Sequence, residues 1–488
     1  MKRREFIRIT ASGLAILALS SGLGPIFRRS EAHAASGDAA DFALDITEVQ
    51  HEMVDGKLLY SWAYAVKEGE AQVQVPSLPG PTLFVRQGQK VDVTLTNTMS
   101  NRPSGEAHGF AIFDETGTIV QSEPLGEAQS TKFTIPGTLA PGTYVYEDWV
   151  NPPVGRVLGL HGVLVVMPAA TYQLYPDTEP PVEGFTPYGL LGAGHPVQQL
   201  FGDLGTTHHF PGEPWLPSRQ VIWVFNEIDP IFNAMAMNHL IDPGDFQRNF
   251  LPQYFTVNGR SGYFAAMDHS HATTHVHLDF NQPLSYLLSS ELEMALEAKV
   301  GQPLLIRNVA VGLDTHSPHT HANHSYILAV DGKPQGLNLD ANGFPVNGNP
   351  SNLGVWWVDT WTMLPGDRKD VLYPMILPPD IPTAENLPAD LTAAELLVYD
   401  TWAKLKKGAW HPTLNPEGSQ ELMALEQGKD PQILNPAHPP GATGEFTHLG
   451  YPMHSHQEIS QTAAGGNYPM GQISHIEFTG FVGDDHDH

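Results

Sequence analysis

Polar and apolar residues alternate along Lys90-Val91-Asp92-Val93-Thr94-Leu95-Thr96-Asn97, the period-two mark of a strand with one buried and one wet face. Thr143-Tyr144-Val145-Tyr146 and Gly162-Val163-Leu164-Val165-Val166 add β-branched and aromatic runs, and Pro79-Gly80-Pro81 and Pro141-Gly142 punctuate them as turns. Residues 42–168 therefore read as one β-sandwich of about 100 to 130 residues. A Pro- and Gly-rich stretch, 169–215, reads as a linker, and strand patterns resume at Arg219 to Phe225. They continue through Tyr254-Phe255-Thr256-Val257-Asn258-Gly259-Arg260, Pro303 to Asn308, Ser325 to Val330, Arg368 to Tyr373 and Ile473 to Phe478. Asn258-Gly259 and Asp331-Gly332 are turn dipeptides of the hairpin kind. Residues 216–480 are thus a second sandwich, interrupted at 378–447 by an insertion in which Leu391, Leu396, Leu397, Tyr399 and Trp402 have helical spacing. The fold class is all-β: tandem sandwiches with a partly helical insertion in the second.

The chain has 488 residues, a length for roughly two to four domains. Apolar residues make up 41%, enough for real cores, but charged residues only 16%, against the usual share of about 25%. A net charge of −28 argues against nucleic acid or an anionic membrane surface as a partner. There is no cysteine, which removes disulfides, thiolate metal sites, iron–sulfur clusters and cysteine nucleophiles together.

Residues 1–34 read as a targeting segment rather than as fold. Arg3-Arg4 sits in a twin-arginine pattern, Ile9 to Leu23 is mildly apolar, and Ala32-His33-Ala34 is a small-residue cleavage site. Thr10, Ser12, Ser20 and Ser21 weaken that stretch as a membrane anchor, and no other run of about 18 apolar residues occurs. The expectation is a periplasmic protein exported by the twin-arginine route and not integral to the membrane. Asp484 to His488 is a polar tail.

Two stretches carry the candidate chemistry, His316-Ser317-Pro318-His319-Thr320-His321 and Met453-His454-Ser455-His456. Side chains alternate along a strand, so His319 and His321 point one way, as do His454 and His456, and each pair offers two imidazoles to one site. Neutral imidazole is the commonest metal ligand, and an all-imidazole set suits copper or zinc rather than magnesium or calcium. A lone histidine is more often a surface or hydrogen-bonded core residue; close pairs change that balance. His269, His271, His275 and His277 form another tract, which reads equally as a second metal site or a solvated loop.

Taken with Leu78-Pro79-Gly80-Pro81-Thr82, Ala107-His108-Gly109, Gly142 to Tyr146, Tyr254 to Gly259 and Leu364-Pro365-Gly366-Asp367-Arg368, these motifs resemble the landmarks of multicopper oxidases, in that family's order and across nearly the whole mature chain. The resemblance implies cupredoxin-like domains, each a Greek-key sandwich, with a trinuclear copper cluster held by four His-x-His pairs, and a blue copper that collects electrons. Two of those pairs are intact here. A third is halved, with His108 kept and Glu106 in its partner's place, and Tyr146-Glu147-Asp148-Trp149 replaces the fourth. His316 matches the family's blue-copper histidine, but Ser455 stands where the cysteine belongs and the second histidine falls near Ser460. A trigonal set of two imidazoles and a thiolate cannot be built without sulfur.

The resemblance therefore implies metal ligands at His108, His316, His319, His321, His454 and His456, with His319, His321, His454 and His456, joined by His108, in a reduced cluster between the two sandwiches and His316 at the blue-copper place. Copper is the expected cofactor, with zinc as the alternative. If the chain is an enzyme, copper-centred redox chemistry on a small molecule or a metal ion is the class implied; the rival is a non-catalytic periplasmic scaffold that has lost its coppers. No pattern specifies an oligomeric state.

Overall fold

The computed structural model describes residues 40–167, 220–266, 284–334, 356–375 and 449–481, save for short breaks within them. The targeting segment, the linker, the His269–His277 tract, the insertion and the Asp484–His488 tail lie outside the described residues.

The first sandwich packs a five-stranded sheet against a six-stranded one. From edge to edge the five are Ala71–Gln72, Leu58–Glu68, Ala40–Glu52, Val91–Asn97 and Ser130–Ile135, with Ala40–Glu52 parallel to Val91–Asn97. Val91, Val93, Leu95 and Asn97 are buried while the residues between them are half-buried, as the alternation requires. The six are Leu284–Leu287, Thr82–Arg86, His161–Met167, Gly142–Glu147, Ala111–Asp114 and Gly117–Gln121. Tyr64, Phe110 and Tyr146 meet at the centre of the core, with ring centroids 4.9 to 5.9 Å apart, each such pair adding about 0.5 to 1.5 kcal/mol beyond the area it buries.

In the second sandwich a sheet runs Tyr254–Val257, Gln220–Ile228, Leu304–Ala310, Arg368–Tyr373, Ser325–Val330 and Lys333–Pro334, with Trp356–Val358 also on Ser325–Val330. The opposing four strands are Leu296–Val300, Ile473–Phe481, Leu449–Ser455 and Pro318–Thr320. Trp223, Phe225, Tyr373, Met453 and Phe478 fill the space between. The architecture is all-β, with the two sandwiches in tandem.

The first core also takes in elements from beyond residue 216. Leu284–Leu287, from the second half of the chain, pairs antiparallel with Thr82–Arg86 and completes the first sandwich's sheet. The helix Pro230–Met237, started by the Asp229 carboxylate accepting from Ile231 N, lays Phe232 into the first core beside Phe246, Tyr286 and Leu288. Asn233 anchors it by donating to the Tyr60 carbonyl at 2.6 Å. The physical reason is simple: alternation reports which face of a strand is buried and says nothing of which sheet covers it.

Between the sandwiches, Phe84, Val163, Val165 and Met167 of one pack on Ile222, Val224, Val309 and Val311 of the other. Polar groups cross the same seam. Thr143 donates to Asp370 at 2.6 Å, Arg307 donates to Thr143 at 3.0 Å, and Arg156 Nε reaches the Val311 carbonyl at 2.9 Å. Among the described residues no helix is long and apolar enough to cross a membrane.

Candidate metal centre

Pro318–Thr320 and Leu449–Ser455 pair antiparallel with His319 directly opposite His454. The ladder runs on at both ends, from His456 N to the Ser317 carbonyl at 2.8 Å and from His321 N to the Pro452 carbonyl at 3.3 Å. Directly opposed residues share a face, as do residues two apart along a strand. All four imidazoles therefore stand on the outer face of the four-stranded sheet, with Met453 turned into the core. Ring centroids are 4.3 Å apart for His319 and His456, 4.6 Å for His319 and His321, and 5.1 Å for His321 and His454. One ring nitrogen from each of His319, His454 and His456 lies within 4.8 Å of the other two.

Groups behind two of the rings fix which nitrogen faces the centre. His319 Nδ1 lies 3.0 Å from the Asp359 carbonyl, an acceptor only, so this nitrogen carries the hydrogen and Nε2 keeps its lone pair. Thr360 Oγ1 sits 2.9 Å from the same nitrogen. Tyr468 donates its hydroxyl to the Ser455 carbonyl at 2.7 Å, so it accepts from His454 Nδ1–H, also at 2.7 Å. His454 Nε2 is then a lone pair, and it lies 3.0 Å from His321 Nε2. Tyr468 holds this position with φ at +58°, uncommon for a bulky residue.

This is the donor set a metal of the imidazole-loving class requires: lone pairs converging, and rings oriented from behind by carbonyl and hydroxyl. Charge agrees with it. Burial, then the neighbouring imidazoles, push His321 down to about 4; burial, His319 and His456 do the same to His454. His319 is lowered by burial and by His456. These rings are neutral at pH 7 and need lose no proton to bind. The residues present fit copper or zinc.

The same depression makes stability depend on pH. Deeply buried His161, which donates from Nδ1 to the Arg156 carbonyl at 2.7 Å, is likewise pushed down by burial to about 4. An unfolded histidine takes its proton near 6.5. Between pH 6.5 and about 4 the unfolded chain holds more protons than the folded one, so stability rises with pH through that window. It is present in full above 6.5 and is lost as pH falls. In chelator-treated protein the melting temperature is expected to fall from pH 6.5 to 4, and less steeply in His161→Asn, whose amide donates to Arg156 without titrating. Equal slopes would refute the role of His161.

His316 stands apart from the cluster and faces inward. It is fully buried, stacked on Phe225 at 5.5 Å, with Nε2 2.7 Å from Glu227 Oε1. Its Nδ1 meets the Gln472 amide. Ser460 Oγ accepts from Gln472 N at 2.9 Å, the Gln472 amide donates to the Thr256 carbonyl at 3.1 Å, and Ser455 Oγ accepts from Gln457 N at 3.2 Å. A carboxylate, an amide and two hydroxyls fill the place where the resemblance implied a blue copper. These residues do not fit one.

His108 is also a member of a different network. Its Nδ1 lies 2.9 Å from Asp148 Oδ2, its Nε2 3.4 Å from Glu106 Oε1, and Trp62 packs on its ring at 4.6 Å. Burial alone would push this imidazole down, but Asp148 and Glu106 outweigh it and hold it above its ordinary value. Both ring nitrogens of His108 thus face carboxylates of its own sandwich rather than the four-histidine cluster. Glu147, at the lost fourth pair, is engaged by Arg156 at 3.2 Å. Of the six sequence candidates, four meet, and His108 and His316 do not.

Sequence reasoning missed Asp359, Thr360 and Tyr468 behind the cluster and Glu227 and Gln472 around His316. No spacing in the chain marks them, since each reaches its histidine from another strand or loop.

Residues 64–171 match the family model described as multicopper oxidase, so this stretch of the first sandwich resembles that family. A probable nitrite reductase-hydroxylamine oxidoreductase fusion protein of Kuenenia stuttgartiensis is 27% identical over 176 residues, 33% of this chain and 20% of that protein, so the chain matches about one fifth of that relative's length. Among solved structures, a blue copper oxidase from Nitrosomonas europaea is 15% identical with a TM-score of 0.45, covering 90% of this chain and 85% of its own. A copper nitrite reductase from Nitrosomonas europaea is 16% identical with a TM-score of 0.38, covering 69% and 84%.

Proposed function

We propose that this chain, which resembles the multicopper oxidases, is an oxidoreductase-like protein that holds copper at His319, His321, His454 and His456 and lacks a blue centre. One observation carries the reading: two His-x-His pairs on adjacent strands, with Asp359, Thr360 and Tyr468 turning the lone pairs of His319 and His454 inward. Copper so bound supplies one-electron redox chemistry. The residues do the rest. The four imidazoles bind, Tyr468 and the Asp359 carbonyl keep the rings of His454 and His319 from turning, and exposed His456 leaves one side open to a small molecule or metal ion.

The second reading, a copper-free scaffold, is favoured by the filled network around His316 and by the His108–Asp148 pair, which together occupy places of three lost ligand groups. Metal analysis of protein purified after copper supplementation separates the two. Stoichiometric copper with weak visible absorption is expected, because no thiolate exists to give an intense blue transition. Stoichiometric zinc in its place selects the zinc alternative. Protein free of metal, or a strong blue band, would overturn the proposal.

A further inference from the structure

The outer face that carries the imidazole cluster continues onto two more strands. His475 is directly opposite Pro452, and Glu477 lies two residues on along the same face. Leu296–Val300 runs parallel to this strand with Glu297 in register with Glu477. Two carboxylates thus sit side by side across a sheet, an arrangement that like-charge repulsion makes costly. Between them stands one imidazole. His475 Nε2 is 3.2 Å from Glu297 Oε1 and 4.0 Å from Glu477 Oε2, and a ligand atom from each of the three lies within 4.8 Å of the others.

We infer that Glu297, His475 and Glu477 form a second metal site, separate from the four-histidine cluster, that takes a divalent first-row cation of the zinc class. The orientation of the imidazole is the observation that goes beyond clustered charge. His475 Nδ1 lies 3.0 Å from the Ala266 carbonyl, at the end of the helix Gly262–Ala266. A carbonyl only accepts, so Nδ1 carries the hydrogen and Nε2 is the nitrogen turned toward both carboxylates. A backbone carbonyl behind a ring that faces carboxylate oxygens is the outer support found in imidazole–carboxylate metal sites. One nitrogen and two oxygens suit zinc-like ions, whereas an all-oxygen set would suit magnesium or calcium. All three side chains are between 16% and 23% exposed, so a cation can enter and water can complete its coordination. Burial and then Glu297 push the nearby Glu293 carboxyl up to about 7. The bland alternative is a protonated His475 bridging two carboxylates with no metal.

The two sites share a sheet face but no ligand, which lets one experiment isolate the second. Zinc chloride is titrated calorimetrically into the full chain carrying His319→Ala and His454→Ala, and the melting temperature is followed with and without zinc. Saturable binding of a single zinc ion, with a zinc-dependent rise in melting temperature, is expected. Adding Glu297→Gln and Glu477→Gln should weaken that binding by more than about tenfold, as loss of metal-site partners does, without lowering the metal-free melting temperature, because the amides relieve repulsion. Unchanged affinity in the quadruple variant overturns the site. So does absence of zinc binding to the parent, or a drop in the metal-free melting temperature on making the amides, since each is the behaviour of a plain ion pair.

Discussion

Changing His319 and His454 together to Ala is expected to abolish bound copper and the copper-dependent rise in melting temperature. These two rings are directly opposed across the strand pair, and each has its tautomer set from behind. Their loss leaves His321 and His456, one from each strand, with the back-side supports serving nothing. A ligand that binds only the folded state stabilises it by about 2.7 kcal/mol when its free concentration is 100 times its dissociation constant. That whole increment should vanish. Metal-free stability should change little, because neutral rings on an outer face contribute little packing. Changing His486 and His488 serves as the control and should leave copper and melting temperature intact. If the control loses copper and the double variant keeps it, the cluster is not the site.

Glu227→Ala should cost about 1 to 3 kcal/mol, the range for leaving a buried hydrogen-bonding group without its partner. Glu227 is fully buried and does three things at once. Its Oε1 faces His316 Nε2 at 2.7 Å, its Oε2 accepts from Leu313 N at 2.8 Å, and Oε1 also accepts from Asp314 N at 3.2 Å. Burial would raise this carboxyl, but His316 and the two backbone donors outweigh it and hold it below its ordinary value. Alanine would orphan two backbone hydrogens in the loop leading to the His316–His321 motif, so copper affinity should fall along with stability. Glu227→Gln keeps an acceptor and should lose much less. Equal destabilisation by the two changes, or less than about 1 kcal/mol from alanine, would show that the pair does not organise this loop.

What could be read before any coordinates follows from which signals are local. The period of two in Lys90 to Asn97 is a property of consecutive residues, and it located a real strand with its buried face correctly assigned. The His-x-His spacings are local too, and they put each pair on one face. What brings the pairs together is the register of Pro318–Thr320 against Leu449–Ser455, across more than a hundred residues of intervening chain. The resemblance supplied that pairing where spacing could not. It put His108 at the cluster and His316 at a blue-copper place, and the surroundings of both depend on Asp148 and Glu227. Both carboxylates arrive from distant strands or turns and give no pattern of their own.

The borrowed strand Leu284–Leu287 has a consequence for how the chain is made. Translation emits Thr82–Arg86 and its neighbour His161–Met167 early, yet the strand that closes their sheet follows about 120 residues later. At about 5 to 20 residues per second, the hydrogen-bonding edge of Thr82–Arg86 stays open on the ribosome for roughly 6 to 24 seconds. The helix that supplies Phe232 arrives in the same interval. The nascent first sandwich is therefore an unfinished template with a sticky rim, and it is the second half of the polypeptide, acting as a chaperone in cis, that caps it.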